Sequence, residues 1–401
     1  MTTSESFRQR WRNIATTFLK LGITSYGGPA IMGIMQTELQ EKRQWVSRER
    51  FLEGLSLVNM LPGATATQLG IFLGYARGGW WGGLLAGVSF VLPAFFVILG
   101  LSIAYAGLGV IPVVRGALYG LGPVVLAIFA VAVYRLGLTA ARTIPQAVIC
   151  VLAAVTAIGT PLGLAAILVL AGAAGLLIFH SRNLRAAAIV SVVACLVTLP
   201  ALWSPITLPA LATSRAVPDP ASLADIAAYF FKVGAFTVGG GLTMIAFIQD
   251  QVVGQFGWLT PQEFIDGLAL GQLTPGPILM LAAYVGYKVA GAAGAAVAAG
   301  AAFLPSFVLM LAILPVLERV RTLTWTRAVI RGMGPAVVGV LAVSLFRLAP
   351  HALPDLFAVA ILAGSLVAVI VYRLGTVRLM IAGSILGALR THFRVIRAFT
   401  T

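Results

Sequence analysis

The sequence predicts an all-α, multi-pass membrane protein built from two inverted-topology repeats, each with two broken or re-entrant helices followed by membrane-spanning helices. Three observations lead to this prediction. Of the 401 residues, 60% are hydrophobic and 10% are charged, and the mean hydropathy is +0.99, whereas about a quarter of the residues of a soluble protein are charged. The chain also repeats itself, and its Lys and Arg residues are distributed unevenly between the loops.

The second copy of the repeat begins 212 residues after the first. Phe18-Leu-Lys-Leu-Gly22 in the first copy corresponds to Phe230-Phe-Lys-Val-Gly234 in the second, and Gly122-Pro123 corresponds to Gly334-Pro335. Self-similarity over most of a chain indicates duplication of one structural unit. We therefore divide the chain into a first repeat, a connecting membrane segment with a Pro-rich linker, and a second, inverted repeat. These parts cover residues 1–185, 186–223 and 224–401.

Each copy contains apolar stretches of two kinds. Two early stretches of the first copy, 13–37 and 51–76, are interrupted near their middle by Gly27-Gly28-Pro29 and by Leu61-Pro62-Gly63. Half of such a stretch, about 12 residues at 1.5 Å each, covers about 18 Å and can reach the bilayer centre and turn back. The stretches that follow are continuous and are predicted to be membrane segments, although the third is shorter than the roughly 20 residues a span usually needs. They are 79–105, 113–134, 144–158 and 162–180.

The basic residues indicate that the second copy is inverted. The loop 38–50 carries four Lys or Arg residues, whereas its counterpart 250–263 carries none. Because cytoplasmic loops of membrane proteins are enriched in Lys and Arg, the two loops are expected on opposite sides of the membrane, with the N-terminus in the cytoplasm. Arg390, Arg394 and Arg397 would then lie outside, so the final helix count and the side of the C-terminus stay open.

Composition and motifs argue against other classes of protein. The net charge of +15 is explained by cytoplasmic loops rather than by nucleic-acid binding. Cys150 and Cys195 have no Cys or His at metal-ligand spacing, so neither a metal nor another cofactor is expected. The sequence lacks His-Glu-x-x-His, Gly-x-Ser-x-Gly and phosphate-binding motifs. We therefore expect a protein without catalytic residues whose transport is not driven by ATP on this chain.

The breaks have the chemistry of an anion-binding site. Paired discontinuous helices in inverted repeats are typical of secondary transporters, whose substrate binds near the bilayer midplane. Glycine permits sharp turns, and a helix that restarts there presents unpaired amides and about +0.5 of a charge. Lys20 and Lys232 precede the breaks within apolar runs, where a charge costs about 2.5–3.5 kcal/mol and needs a partner. An anionic substrate would supply one, although both lysines could instead extend to the interface, and the glycines could serve only to kink or pack helices.

The candidate substrate-binding residues are the two lysines, the break glycines and the nearby side chains that can donate hydrogen bonds to oxygens. They are Lys20, Ser25, Gly27, Gly28, Asn59, Gly63, Thr65, Gln68, Lys232, Thr237, Gly239, Gly240, Gln272, Thr274 and Gly276, with Thr67 in the same cluster.

Three motifs resemble those of the chromate transporter family in its long, two-domain form: 18–29, Leu61-Pro-Gly63 and Leu270-Gly-Gln-Leu-Thr-Pro-Gly-Pro277. The resemblance implies a prokaryotic inner-membrane protein that exports chromate, uses the proton motive force and meets sulfate as a competitor. The family usually has Pro-Gly-Pro where this chain has Pro62-Gly63-Ala64, and an aromatic residue where Leu242 stands.

We therefore predict a secondary active transporter that exports chromate, a tetrahedral divalent oxyanion, across the cytoplasmic membrane. Its expected partners are the oxyanion, protons as the coupling ion and membrane lipid, with no nucleic acid; a homodimer stays open. The alternatives are a transporter of sulfate or another oxyanion, and a lipid scramblase or a membrane scaffold without transport activity.

Overall fold

The computed structural model describes residues 7–26, 29–108, 111–160, 162–179, 221–238, 241–316 and 324–400. These residues form helices and short connections, without a β-strand among them. The predicted connecting segment 186–203, and the linker up to residue 220, lie outside the described residues.

The second copy contains the same series of helices as the first, in the same order. Each copy also has a π-helical segment at the equivalent place. The first copy consists of α1 (Phe7–Thr24), α2 (Pro29–Met35), π1 (Gln36–Lys42), α3 (Arg48–Met60), α4 (Thr65–Leu108), α5 (Pro112–Ala140), α6 (Ile144–Gly159) and α7 (Leu164–Phe179). The second consists of α8 (Leu223–Phe236), α9 (Leu242–Phe247), π2 (Ile248–Gln255), α10 (Pro261–Leu273), α11 (Leu281–Ile313), α12 (Thr324–Ala352), α13 (Leu356–Ile370) and α14 (Thr376–Thr400). One 3₁₀ turn, Ile278–Met280, precedes α11, and another, Leu314–Val316, follows it.

The predicted interruptions lie between helices of the structure. α1 ends at Thr24 and α2 begins at Pro29, while α3 ends at Met60 and α4 begins at Thr65. α1 starts earlier than predicted, at Phe7 rather than residue 13. Whether the broken helices re-enter from one side of the membrane stays a prediction.

One boundary between predicted segments is a kink rather than a loop. The predicted segments 51–76 and 79–105 meet inside α4, where Gly79 has a φ of 64°. The equivalent Gly291 in α11 has a φ of 61°. A positive φ is rarely adopted by residues with a side chain, so glycine permits the chain to turn here without an intervening loop.

Four described helices are long and apolar enough to cross a membrane. They are Thr65–Leu108, Pro112–Ala140, Ile278–Ile313 and Ala328–Ala352. Because a bilayer core of about 30 Å requires about 20 apolar residues, these lengths agree with the predicted all-α, multi-pass membrane protein. The inverted orientation of the second copy stays a prediction.

The chain forms two compact units, and each unit contains parts of both copies. Unit 1 comprises Met1–Ile111, Ala221–Met244 and Gly267–Thr322, and unit 2 comprises Pro112–Pro220, Ile245–Asp266 and Leu323–Thr401. The predicted division into 1–185, 186–223 and 224–401 is therefore a division of the sequence, and it stays a proposal.

Equivalent helices make equivalent contacts within each unit. In unit 1, α1 packs on α4 and its counterpart α8 packs on α11. In unit 2, α5 packs on α13 and α14 of the other copy, while its counterpart α12 packs on α6 and α7. Equivalent helices of the two copies therefore have equivalent partners.

Candidate functional site

Two backbone hydrogen bonds in unit 1 connect the breaks of one copy to those of the other. The Gly276 N–H donates to the Ser25 carbonyl at 2.7 Å, and the Gly63 N–H donates to the Thr237 carbonyl at 2.6 Å. Ser25 and Thr237 are equivalent positions in the two copies, and so are Gly63 and Gly276. We call these two bonds the cross-braces. They bring the first break of each copy against the second break of the other.

Both cross-braces require glycine at the donor. Gly63 has a φ of 125° and Gly276 has a φ of 102°, values that residues with a side chain rarely adopt. A Cβ on Gly63 would also overlap the Ser306 hydroxyl and lie 2.6 Å from Nε2 of Gln68. The break therefore needs glycine for its backbone conformation and for its close packing.

Buried polar groups surround the start of α4. We call residues 61–68 the first restart and residues 274–280 the second restart. In the first restart, the Ala64 N–H donates to Oγ of Ser306 at 2.8 Å. Nε2 of Gln68 donates to the Pro62 carbonyl at 2.7 Å and closes the turn. Because amides in the first turn of a helix have no partner within it, a side chain or a ligand must satisfy them.

Three buried side-chain atoms of the candidate binding residues have no hydrogen-bond partner among the described residues. They are Oγ of Ser25, Oγ1 of Thr67 and Oε1 of Gln68. All three residues are 0% exposed. An unsatisfied buried polar group costs about 1–3 kcal/mol. The two hydroxyls can donate to the oxygens of a bound anion and thereby remove this penalty.

Three threonine hydroxyls near the breaks of the second copy are bonded within their own segments. Oγ1 of Thr237 donates to the Val233 carbonyl at 2.7 Å, and Oγ1 of Thr274 donates to the Leu270 carbonyl at 2.8 Å. Oγ1 of Thr243 accepts from the Val238 N–H at 2.8 Å and spans the Gly-rich break. Sequence reasoning missed Thr243, since its counterpart in the first copy is Ile31 and the repeat gives no signal there.

Several predicted site residues do not belong to the cross-braces. Gly27, Gly28, Gly239 and Gly240 lie outside the described residues. Asn59 and Lys20 are exposed, whereas Gln272 and Lys232 are partly exposed. Thr65 is 9% exposed and begins α4. The roles of all these residues in binding stay predictions.

Lys20 lies within electrostatic range of Glu38 on π1. The pKa of the Glu38 carboxyl is lowered, first by the hydrogen bond that Arg43 donates at 2.9 Å, with smaller contributions from the charges of Arg43, Lys42 and Lys20. Lys42 itself lies 3.6 Å from the carboxylate. Glu38 is therefore a charged neighbour of Lys20, in agreement with the alternative that this lysine extends to the interface.

A family model described as "Chromate transporter" matches residues 12–179 and 224–388, which is most of both copies. The chain belongs to the chromate transporter family. Its relatives include a probable chromate transport protein of Synechococcus elongatus, 33% identical over 86% of each chain. A chromate transport protein of Cupriavidus metallidurans is 32% identical over 86% of this chain and 84% of its own.

A more distant relative is a protein of an archaeon. An uncharacterized transporter of Methanocaldococcus jannaschii is 26% identical over 84% of each chain. No solved structure matches the chain. Membership of the chromate transporter family, together with the four long apolar helices, identifies a prokaryotic multi-pass membrane protein.

Proposed function

We propose that the chain is a secondary active transporter that exports chromate across the cytoplasmic membrane and binds the anion at the breaks of unit 1. The observation that carries the binding site is the pair of cross-braces, Gly63 to Thr237 and Gly276 to Ser25. They bring four chain breaks together in pairs, and buried polar groups of the candidate residues have no hydrogen-bond partner within the described part of the chain. Transport of chromate by members of the family supports the choice of substrate.

A tetrahedral divalent oxyanion suits this environment. Its four oxygens accept hydrogen bonds from hydroxyls such as that of Thr67, and from amides at the start of a helix. In this proposal Lys20 and Lys232 balance the two negative charges, and protons provide the driving force. In this proposal the scaffold helices rock about the breaks, which opens the site to each side of the membrane in turn.

Purified protein in liposomes is expected to move labelled chromate. Replacing both lysines, in the variant Lys20→Ala with Lys232→Ala, is expected to lower the flux about tenfold or more, because a hydrogen bond to a charged group contributes about 1.5–3 kcal/mol. Lys42→Ala is the matched control, since Lys42 is exposed and pairs with Glu38 in π1. Its flux should equal that of the unaltered protein.

Each outcome of this assay has a different meaning. A double variant with unchanged flux would remove the lysines from the mechanism. Flux of labelled sulfate without flux of chromate would favour the other oxyanion. Scrambling of labelled phospholipid without any anion flux would favour the lipid alternative. A dependence of chromate flux on an imposed pH gradient tests the proton coupling.

The inverted orientation of the two copies can be tested by labelling from one side. In a background with Cys150→Ser and Cys195→Ser, Arg48→Cys is expected to react with a membrane-impermeant maleimide only from the cytoplasm. Gln262→Cys, in the counterpart loop, is expected to react only from outside. Both positions are exposed, so access to the label is not limited by burial. Labelling of both cysteines from the same side would contradict the inverted model.

A further inference from the structure

The two restarts occupy equivalent positions in the copies but differ in their chemistry. After Gly63 the chain continues Ala-Thr-Ala-Thr-Gln68, whereas after Gly276 it continues Pro-Ile-Leu-Met280. Both segments are buried, since Gln68 is 0% exposed and Met280 is 1% exposed. After its glycine, the first restart is therefore polar, whereas the second is apolar.

A pair of substitutions between the copies accompanies this difference. In the first restart, the buried Ala64 N–H donates to Oγ of Ser306 on α11. The second restart has Pro277 in place of Ala64, and Ala94 is the counterpart of Ser306. Proline has no N–H to satisfy, and Ala94 offers no hydroxyl. A Cβ on Gly276 would lie 2.8 Å from Cβ of Ala94, so Ala94 fills the packing position that Ser306 fills in the other copy.

Polar atoms at the first restart have capacity left for a ligand. Oγ1 of Thr67, which can donate, has no hydrogen-bond partner among the described residues, and its side chain is fully buried. The amide of Gln68 folds over the turn, since its Nε2 donates to the Pro62 carbonyl. Ser306 uses only a lone pair to accept from Ala64, and its hydroxyl proton is not consumed by that bond. Accepting a hydrogen bond also makes a hydroxyl a stronger donor.

We propose that the oxyanion binds at the first restart alone, one anion per chain, and that Ser306 is a binding residue of this site. This inference rests on the proposed transport function. Ser306 and Thr67 donate to anion oxygens at the start of α4, where the unpaired amides and the helix dipole favour negative charge. The apolar second restart does not contact the anion.

The test separates binding by Ser306 from its structural role, by measuring the KM for labelled chromate in liposomes. Ser306→Ala is expected to raise KM about tenfold, and it also leaves the Ala64 N–H without a partner. The double variant Ala64→Pro with Ser306→Ala removes that unpaired N–H and reproduces the arrangement of the second restart. Proline suits this turn, since Pro277 has a φ of −75° after Gly276. We expect the double variant to recover thermal stability while its KM remains raised.

Recovery of a normal KM in the double variant would overturn the proposal, because Ser306 would then act only by satisfying the amide. Thr67→Val, which keeps the shape of the side chain, provides a second test and is expected to raise KM as well. Met280→Leu at the second restart is the control and should leave KM unchanged. If Ser306→Ala and Thr67→Val both move chromate with a normal KM, the anion does not bind at the first restart. A failure of the unaltered protein to move any oxyanion would instead contradict the proposed function itself.

Discussion

Gly63→Ala is expected to reduce chromate flux to near the background of empty liposomes, whereas Gly79→Ala should retain most of the flux. Both glycines have a positive φ, 125° and 64° respectively, so both substitutions strain the backbone, at a cost of about 1–3 kcal/mol. They differ in the space available. A Cβ on Gly63 would overlap Ser306, whereas a Cβ on Gly79 meets nothing within 4 Å.

The overlap at Gly63 has a consequence beyond strain. Moving Gly63 away from Ser306 displaces its N–H, which donates to the Thr237 carbonyl across the two copies. Without this cross-brace, the first restart is no longer held against the break at Thr237. We therefore expect a protein that still folds, as judged by its elution as a single species in detergent, but does not transport.

The same comparison is available in the second copy. Gly276 has a φ of 102°, and Gly291, the counterpart of Gly79, has a φ of 61° with open space around it. Gly276→Ala is expected to impair transport and Gly291→Ala to preserve most of it. If Gly63→Ala retains as much flux as Gly79→Ala, and both transport well, the cross-brace is not required for transport.

The sequence predicts the elements of the fold well because the duplication marks them twice. The breaks at Gly27-Gly28 and at Pro62-Gly63 are visible as glycine and proline inside apolar runs, and the helices end on both sides of them. Where the structure has a kink at Gly79, the sequence predicts a gap between two segments, because hydropathy does not distinguish a short loop from a turn within one helix. Periodicity also gave no sign that α1 begins at Phe7, because its first turns are polar.

The pairing of the breaks could not be predicted in the same way. Ser25 and Gly276 are far apart in sequence, and local propensity carries no information on which break contacts which. The role of Ser306 could not be predicted from the repeat for a different reason. The repeat is visible where the two copies have the same residue. Ser306 is instead a position where the copies differ, since its counterpart is Ala94, and the neighbouring Ala64 likewise has Pro277 as its counterpart.

In unit 2, a cluster around Asp355 joins three helices and gives the second large predicted effect. Tyr119 on α5 donates to Oδ1 of Asp355 at 2.5 Å, and Arg390 on α14 donates to Oδ2. The Asp355 side chain also accepts from the Ala358 N–H and caps α13. The guanidinium of Arg390 lies 4.5 Å from the ring centre of Tyr119. Arg390, which sequence reasoning counted among the basic residues of the tail, is thus paired with a carboxylate.

Asp355→Asn is expected to lower the free energy of unfolding by about 1–2 kcal/mol. A hydrogen bond to a charged group contributes about 1.5–3 kcal/mol, and the value is reduced here because the Asp355 side chain is 35% exposed. Thermal unfolding in detergent measures the change, with Glu49→Gln, an exposed carboxylate at the start of α3, as the control. Tyr119→Phe should destabilise less, and its effect should largely disappear in the Asp355→Asn background, because both act through the same carboxylate.

The stability contributed by the Asp355 carboxylate is expected to fall as the pH is lowered. The hydrogen bond from Tyr119, followed by that from Arg390, holds the pKa of the Asp355 carboxyl well below its ordinary value of 3.8. A carboxyl whose pKa is lowered by folding stabilises the protein fully above its unfolded pKa and loses this contribution as the pH falls toward the folded pKa. The stability difference between the unaltered protein and Asp355→Asn should therefore be constant from about pH 5 to 8 and shrink below about pH 4. A difference that grows on acidification, or full additivity of Tyr119→Phe with Asp355→Asn, would contradict a stabilising role for the ionised carboxylate.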